Sequence, residues 1–178
     1  LVDDREMGSM RLLLTSPFPR WWLLFCRLFG ATLISVLQVY AFLAIAALFD
    51  IVMPLWGYVA VLPGLVLGGL MLGALGLVLS SFITQLENFA GVMNFVIFPM
   101  FFLSSALYPL WKMAESSELL RDICAYNPFT HVVEMIRFLL YLQVNWPALA
   151  WVVGTTAVLA ALAIRAYDPA RALMHRKG

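Results

Sequence analysis

The chain has 178 residues, of which 63% are apolar and only 12% charged, and its mean hydropathy is +0.93. Because a soluble domain carries about 25% charged residues, this composition excludes a soluble enzyme or binding module and indicates an integral membrane protein. The formal net charge of +1 and the lack of a basic run also exclude a nucleic-acid partner.

A charged segment, residues 1–19, precedes the first apolar run. Met7, Met10 and Leu14 recur in it at helical spacing, while charged side chains occupy the other faces. Pro17 ends the pattern because proline cannot continue a helix. The segment predicts a short amphipathic helix beside the membrane, and the residues alone leave open whether it does more than anchor the next span.

Four apolar stretches follow, and a membrane-spanning helix needs about 20 mostly apolar residues. The polar segment before the last stretch is too long for a simple turn. We therefore predict an all-α integral membrane domain with four transmembrane helices. Their bounds are 20–49, 58–84, 88–110 and 146–165, with a loop at 112–145 and a tail at 166–178.

The second span carries a strip of small residues on one helical face. Such strips let another helix approach closely, so we predict close packing inside the bundle. A role in dimer formation or in sliding motions is the alternative. The strip consists of Gly69, Gly73, Gly76 and Ser80, and Gly64 and Gly68 add a second pair.

The region after the third span changes character at Asn127 and Pro128, where a short apolar run with internal charges begins. Asn127 suits the N-cap of a helix, and Pro128 suits its first turn. Thr130, Glu134 and Arg137 fall on one stripe of that helix, together with Tyr141. We predict an amphipathic helix that lies in the membrane interface or dips into it.

Two segments carry a resemblance to a known family: FPMFFLSSALYPL at 98–110 and NPFTHVVEMIR at 127–137. They resemble the C-terminal half of permeases of the ABC type-2 exporter class, whose members export drugs, polysaccharides or lipids. The resemblance implies spans three to six of a six-span permease in a bacterial inner membrane. It also implies two permease copies, most simply a homodimer in contact with membrane lipid, and separate ATPase subunits that hold ATP and magnesium. No cofactor is expected in this chain.

Permeases of this class have a cytoplasmic coupling helix that seats in a cleft of the ATPase. The resemblance places it in residues 1–19, although Arg11 stands where the class more often has glutamate. The positions assigned to coupling are Asp4, Arg5, Gly8, Ser9, Arg11, Leu13, Leu14, Ser16 and Pro17.

The class also has short gate helices at the outer mouth, between its last two spans. Resemblance, rather than spacing, supplies this assignment here. The matching positions are Pro99, Ser104, Ser105, Pro109, Asn127, Pro128, Thr130, Glu134 and Arg137.

The basic residues predict the orientation of the spans. Eight lie near the two termini and three lie between the third and fourth spans. Because cytoplasmic segments carry the excess of lysine and arginine, both termini are expected in the cytoplasm and the loop at 112–145 outside.

Motifs for chemistry are lacking in the sequence, which has no GxxxxGK[ST], HExxH or GxSxG pattern and no cluster of cysteine and histidine. ATP hydrolysis is therefore expected on another chain, and no catalytic or metal site is expected here. A membrane-embedded enzyme using His131, Glu134 and Arg137 remains an alternative, as does a non-transporting scaffold. The uniformly apolar spans favour an apolar or amphiphilic cargo, as in multidrug or lipid efflux.

Overall fold

The computed structural model describes residues 19–49, 51, 53–83 and 86–166, and every regular element in these ranges is an α-helix. The expected all-α fold class is therefore confirmed. The segments 1–18 and 167–178 lie outside the described residues. The helices are α1 (Arg20–Leu48), α2 (Leu55–Ala60), α3 (Leu62–Phe82), α4 (Leu86–Phe102), α5 (Leu110–Ser116), α6 (Glu118–Tyr126), α7 (Pro128–Leu140) and α8 (Trp146–Ala166).

Three helical stretches of the described chain are long and apolar enough to cross a membrane: Trp21–Leu48, Leu55–Phe82 and Trp146–Ala166. The stretch Asn88–Phe102 is apolar but shorter. Its helix, α4, ends at Phe102 rather than continuing to residue 110 as the uncharged run suggested. Length and composition thus support a multi-pass membrane protein with a fourth apolar helix of reduced length.

The stretch Leu55–Phe82 contains α2 and α3, which meet at a single turn residue, Val61. Pro63 lies in the first turn of α3, where its missing N–H leaves an upstream carbonyl without a helical partner. The Val61 N–H still donates to the Gly57 carbonyl at 3.0 Å. The break is therefore local, and α2 and α3 act as one long element.

The centre of the bundle is α3, against which α8, α1 and α7 pack. One buried apolar cluster joins Met71 on α3 to Val132 and Met135 on α7 and to Val152 on α8. A second cluster joins α1, the junction of α2 with α3, and the end of α7. The Tyr40 hydroxyl of α1 also donates to the Tyr58 carbonyl of α2. These contacts hold five helices, α1, α2, α3, α7 and α8, as one body.

The helix α7 runs antiparallel alongside α2 and α3. A Cβ added at Gly68 would meet Val132, one added at Gly64 would meet Leu139, and one added at Gly57 would meet the Leu140 carbonyl. Gly68 lies about 20 Å along the helix from Leu55 at about 1.5 Å per residue. The amphipathic helix therefore reaches roughly half-way along a membrane-spanning element instead of lying across its end.

Candidate functional site

The end of α4 is where the described chain concentrates its long-range polar contacts. A helix end leaves its last carbonyl groups without partners inside the helix. Ser104 satisfies one of them, because its hydroxyl donates to the Phe101 carbonyl at 2.6 Å and accepts the Ala106 N–H at 3.2 Å. The serine turns the chain out of the helix and is itself fully buried.

Asn127 satisfies two more carbonyl groups at the end of α4 and caps a second helix at the same time. Its Nδ2 donates to the Met100 carbonyl at 2.7 Å and to the Leu103 carbonyl at 2.8 Å. Its Oδ1 accepts the Phe129 N–H at 3.0 Å, so the predicted N-cap of α7 is confirmed. One side chain thus links the end of α4 to the start of α7.

Two further bonds join the turn after α4 to the polar stripe of α7. The Ser105 N–H donates to the Thr130 hydroxyl at 3.3 Å, and both residues are almost completely buried. The Arg137 Nη2 donates to the Ser105 carbonyl at 3.2 Å. The backbone of Ser105 therefore carries both contacts, while its own Oγ is buried without a hydrogen-bond partner.

Glu134 completes the stripe by accepting from Arg137, with 3.3 Å between Oε1 and Nη1 one helical turn apart. The glutamate side chain is 20% exposed and that of the arginine 43%. A charged pair on a helix packed alongside a spanning element is costly unless its charges are matched. Here the arginine is matched by both a carboxylate and a backbone carbonyl. We call the group Ser104, Ser105, Asn127, Thr130, Glu134 and Arg137 the polar knot.

The structure brings together most of the residues assigned to an outer gate by resemblance. Pro99 lies inside α4 and its carbonyl accepts the Leu103 N–H at 2.9 Å, directly beside the polar knot. Pro128 is in the first turn of α7. Pro109 stands apart as the N-cap residue of α5. The residues assigned to ATPase coupling, from Asp4 to Pro17, lie outside the described residues.

The small-residue strip of α3 divides between two neighbours. A Cβ on Gly69 would come 2.9 Å from Thr32, and one on Gly73 would come 2.5 Å from Leu28, so both glycines contact α1 closely. Gly76 faces Met93 of α4 at a looser 3.9 Å. Ser80 is buried, and its hydroxyl donates to a carbonyl of its own helix. Gly69 and Gly73 of the strip therefore lie against α1 of this chain.

His131, which the enzyme alternative places in a polar site, contacts an aromatic residue of another helix. Its ring stacks on Trp151 of α8, with ring centroids 5.0 Å apart and planes at 2°. Its Nε2 is buried without a hydrogen-bond partner, whereas Glu134 pairs with Arg137. Sequence spacing within α7 could not reveal this contact, because Trp151 lies on another helix.

Comparison with known proteins gives one match. A family model described as ABC-2 type transporter matches residues 1–141, which include the whole polar knot. No curated protein and no solved structure matches the chain.

Proposed function

The chain belongs to the ABC-2 type transporter family and is a transmembrane permease, and from this premise we propose that a separate ABC ATPase subunit drives it. The family match supports the proposal, since such permeases work with an ABC ATPase in general. Residues 1–19 are proposed to form the coupling helix. ATP and magnesium would then bind the partner, and this chain would need no cofactor of its own.

The wider assembly follows the same reasoning. We propose two permease copies, a bacterial inner membrane, and both termini in the cytoplasm, the last because the basic residues concentrate near the termini. The apolar character of the spans favours export of an apolar or amphiphilic molecule, as in multidrug or lipid efflux.

The polar knot is proposed to be the outer gate of this permease. The single observation that carries this proposal is Asn127, which donates to two carbonyl groups at the end of α4, those of Met100 and Leu103, while capping α7. Hydrogen bonds of this kind each contribute about 1 kcal/mol net, so the contact between α4 and α7 can open at a cost that ATP-driven motion supplies. Alternating access needs two discrete arrangements of such a contact.

Access to Ser105 tests the gate. Ser105 is fully buried and uses its backbone for its contacts, so Ser105→Cys is a conservative probe. In the full-length transporter, in a Cys26→Ser background, we expect a membrane-impermeant maleimide to react slowly at rest and at least tenfold faster during ATP turnover. Adding Asn127→Ala should give the fast rate without ATP.

Asn145→Ala is the matched control for that experiment. Asn145 also accepts a backbone N–H at a helix start, that of Ala148 at 3.2 Å, but it caps α8 alone. It should therefore leave the maleimide rate unchanged. Equal rates for the asparagine variants, or no response to ATP, would contradict the gate.

Copurification tests the ATPase partner. We expect an ABC ATPase from the same genome to copurify with the full-length permease, and Gly8→Trp or Leu13→Asp to reduce its ATPase stimulation at least fivefold. Gly154→Ala is the control, because nothing lies within 4 Å of the Cβ that it adds. If no ATPase binds wild type, the coupling proposal is wrong.

The alternative of a membrane-embedded enzyme has less support. It needs His131, Glu134 and Arg137 to share one polar site, but His131 stacks on Trp151 while the other two pair with each other. Turnover without ATP that is lost in Glu134→Gln would favour it over the permease.

A further inference from the structure

An apolar cavity of about 440 Å³ lies between α1, α3, α4 and α7. Gly69 and Gly73 form a smooth wall on α3, Met93 and Ile97 face it from α4, and Val133 faces it from α7. Ligand pockets in proteins commonly measure about 300–1,000 Å³. The cavity is therefore large enough to hold a molecule or a substantial part of one.

The polar groups along its wall are already satisfied from within the protein. The Ser35 hydroxyl donates to the Ala31 carbonyl at 3.0 Å. At the end of α4, the Met100 carbonyl accepts from Asn127 and the Phe101 carbonyl accepts from the Ser104 hydroxyl. The wall thus offers an occupant apolar contact and no free charge.

The cavity would be unfavourable both when filled with water and when empty. A buried water needs two to four polar partners, and this wall offers one hydroxyl, that of Ser35, which already donates to its own helix. An empty cavity of this size would deprive both walls of dispersion contacts. Each carbon group of a hydrocarbon chain occupies about 30 Å³, comparable to the volume of one water molecule in the liquid. The cavity therefore fits a hydrocarbon chain on the order of a dozen carbons.

The position of the cavity indicates where that chain comes from. Ala31 and Ser35 on α1 and Ile97 on α4 line the cavity and are exposed. α4 also packs little against the rest of the bundle. The cavity therefore opens sideways between two apolar helices, and in a membrane the solvent that reaches such an opening is lipid hydrocarbon.

We propose that this cavity binds one acyl chain of a membrane lipid, which fills the space between α4 and the body formed by α1, α3 and α7. The acyl chain is a resident part of the permease, whereas a cargo molecule would leave the cavity during ATP turnover. It supports α4 without a hydrogen bond and leaves the polar knot as the specific contact of that helix.

Photolabelling of the full-length permease tests the proposal. The probe is a phospholipid with a diazirine in the middle of one acyl chain, added at about one lipid per protein chain and retained through size exclusion in detergent. We expect adducts on peptides containing Met93, Met100 and Val133. Ala31→Phe and Val133→Phe, which fill the cavity from different helices, should each reduce these adducts at least fivefold.

Leu33→Phe is the matched control, because Leu33 is on α1 but is exposed and does not line the cavity. It should leave the adducts at the wild-type level. Wild-type protein without adducts at these positions would mean that another helix fills the cavity, and would overturn the proposal. Adducts that disappear during ATP turnover of the assembled transporter would identify the occupant as cargo, and would also overturn it. Photolabelling of the permease alone requires no ATPase, so a negative result there is distinct from a failure of the proposed function.

Discussion

The contact of α3 with α1 and the contact of α4 with α7 are built in opposite ways. The first depends on glycines that bring apolar helices into close van der Waals contact, with Gly73 against Leu28. The second depends on hydrogen bonds from side chains to backbone groups, with Asn127 at its centre. Close packing loses energy steeply with any displacement, whereas a hydrogen bond can be exchanged for another. The contact of α3 with α1 is therefore suited to hold the bundle together, and the contact of α4 with α7 is suited to open.

A substitution that disrupts the close helix packing should give the largest loss of stability. In Gly57→Ala, the new Cβ would overlap the backbone carbonyl of Leu140, and neither group can rotate away. We expect a loss of about 3 kcal/mol or more, seen as a fall in Tm or loss of folded protein in detergent. Gly154→Ala is the control, where we expect unchanged or slightly raised stability because the added methyl group meets open space. Equal changes in Tm for Gly57→Ala and Gly154→Ala would contradict a role for close packing at Gly57.

Substitutions in the polar knot should lower the free energy of unfolding by a smaller amount. Asn127→Ala removes the cap of α7, worth about 1 kcal/mol, and the donor to two carbonyl groups, so the loss should be about 2–3 kcal/mol in total. Asn145→Ala removes only a cap and should cost about 1 kcal/mol. Asn127→Ser, which keeps an acceptor for capping but is too short to reach α4, should fall between them. Thermal unfolding of the three variants in detergent makes the comparison, and identical Tm values would show that the bonds to α4 contribute nothing.

Two further substitutions compare the backbone of Ser105, which has partners in the polar knot, with its hydroxyl, which has none. Thr130→Val leaves the buried Ser105 N–H without its acceptor and should cost about 1 kcal/mol or somewhat more. Ser105→Ala removes a hydroxyl that has no partner, so it should be neutral or slightly stabilising. A Tm loss in Ser105→Ala as large as that in Thr130→Val would contradict this division of roles.

The smallest effect concerns the connection from α7 to α8. Leu142 has φ of 61°, a left-handed conformation that costs a residue with a side chain about 1 kcal/mol. The Gln143 N–H bonds the Phe138 carbonyl at 2.9 Å, which is the helix ending that glycine favours. Leu142→Gly should therefore stabilise the protein by up to about 1 kcal/mol. Tyr141→Gly, at φ of −98°, should destabilise it. Opposite shifts in Tm are expected, and shifts of the same sign would contradict the account.

Local patterns predicted what depends on near neighbours in sequence. The cap of α7 was predictable because Asn127 bonds a backbone group two residues away. The close approach of helices at Gly69 and Gly73 followed from spacing alone. The membrane class and the family resemblance followed from composition and from two short segments.

Contacts between distant segments were not predictable. The end of α4 at Phe102 depends on Asn127, which lies 24 residues beyond Leu103 in sequence, and no periodicity in the apolar run reports it. The stacking of His131 on Trp151 likewise joins two helices. The residues proposed for the gate were assigned by resemblance alone, and only the fold shows that most of them meet at one turn.

A disulfide across the polar knot tests whether the knot must open during transport. Cys26 is exposed and would be replaced by serine, while Cys124 is buried, which raises the pKa of its thiol and slows its reactions. In that background, Ser105→Cys with Thr130→Cys joins the two sides of the knot, and Leu28→Cys with Gly73→Cys joins α1 to α3. We expect the first disulfide to stop ATP-driven turnover of the assembled transporter until it is reduced, and the second to leave turnover near the wild-type rate. Full turnover with the knot cross-linked would contradict the account.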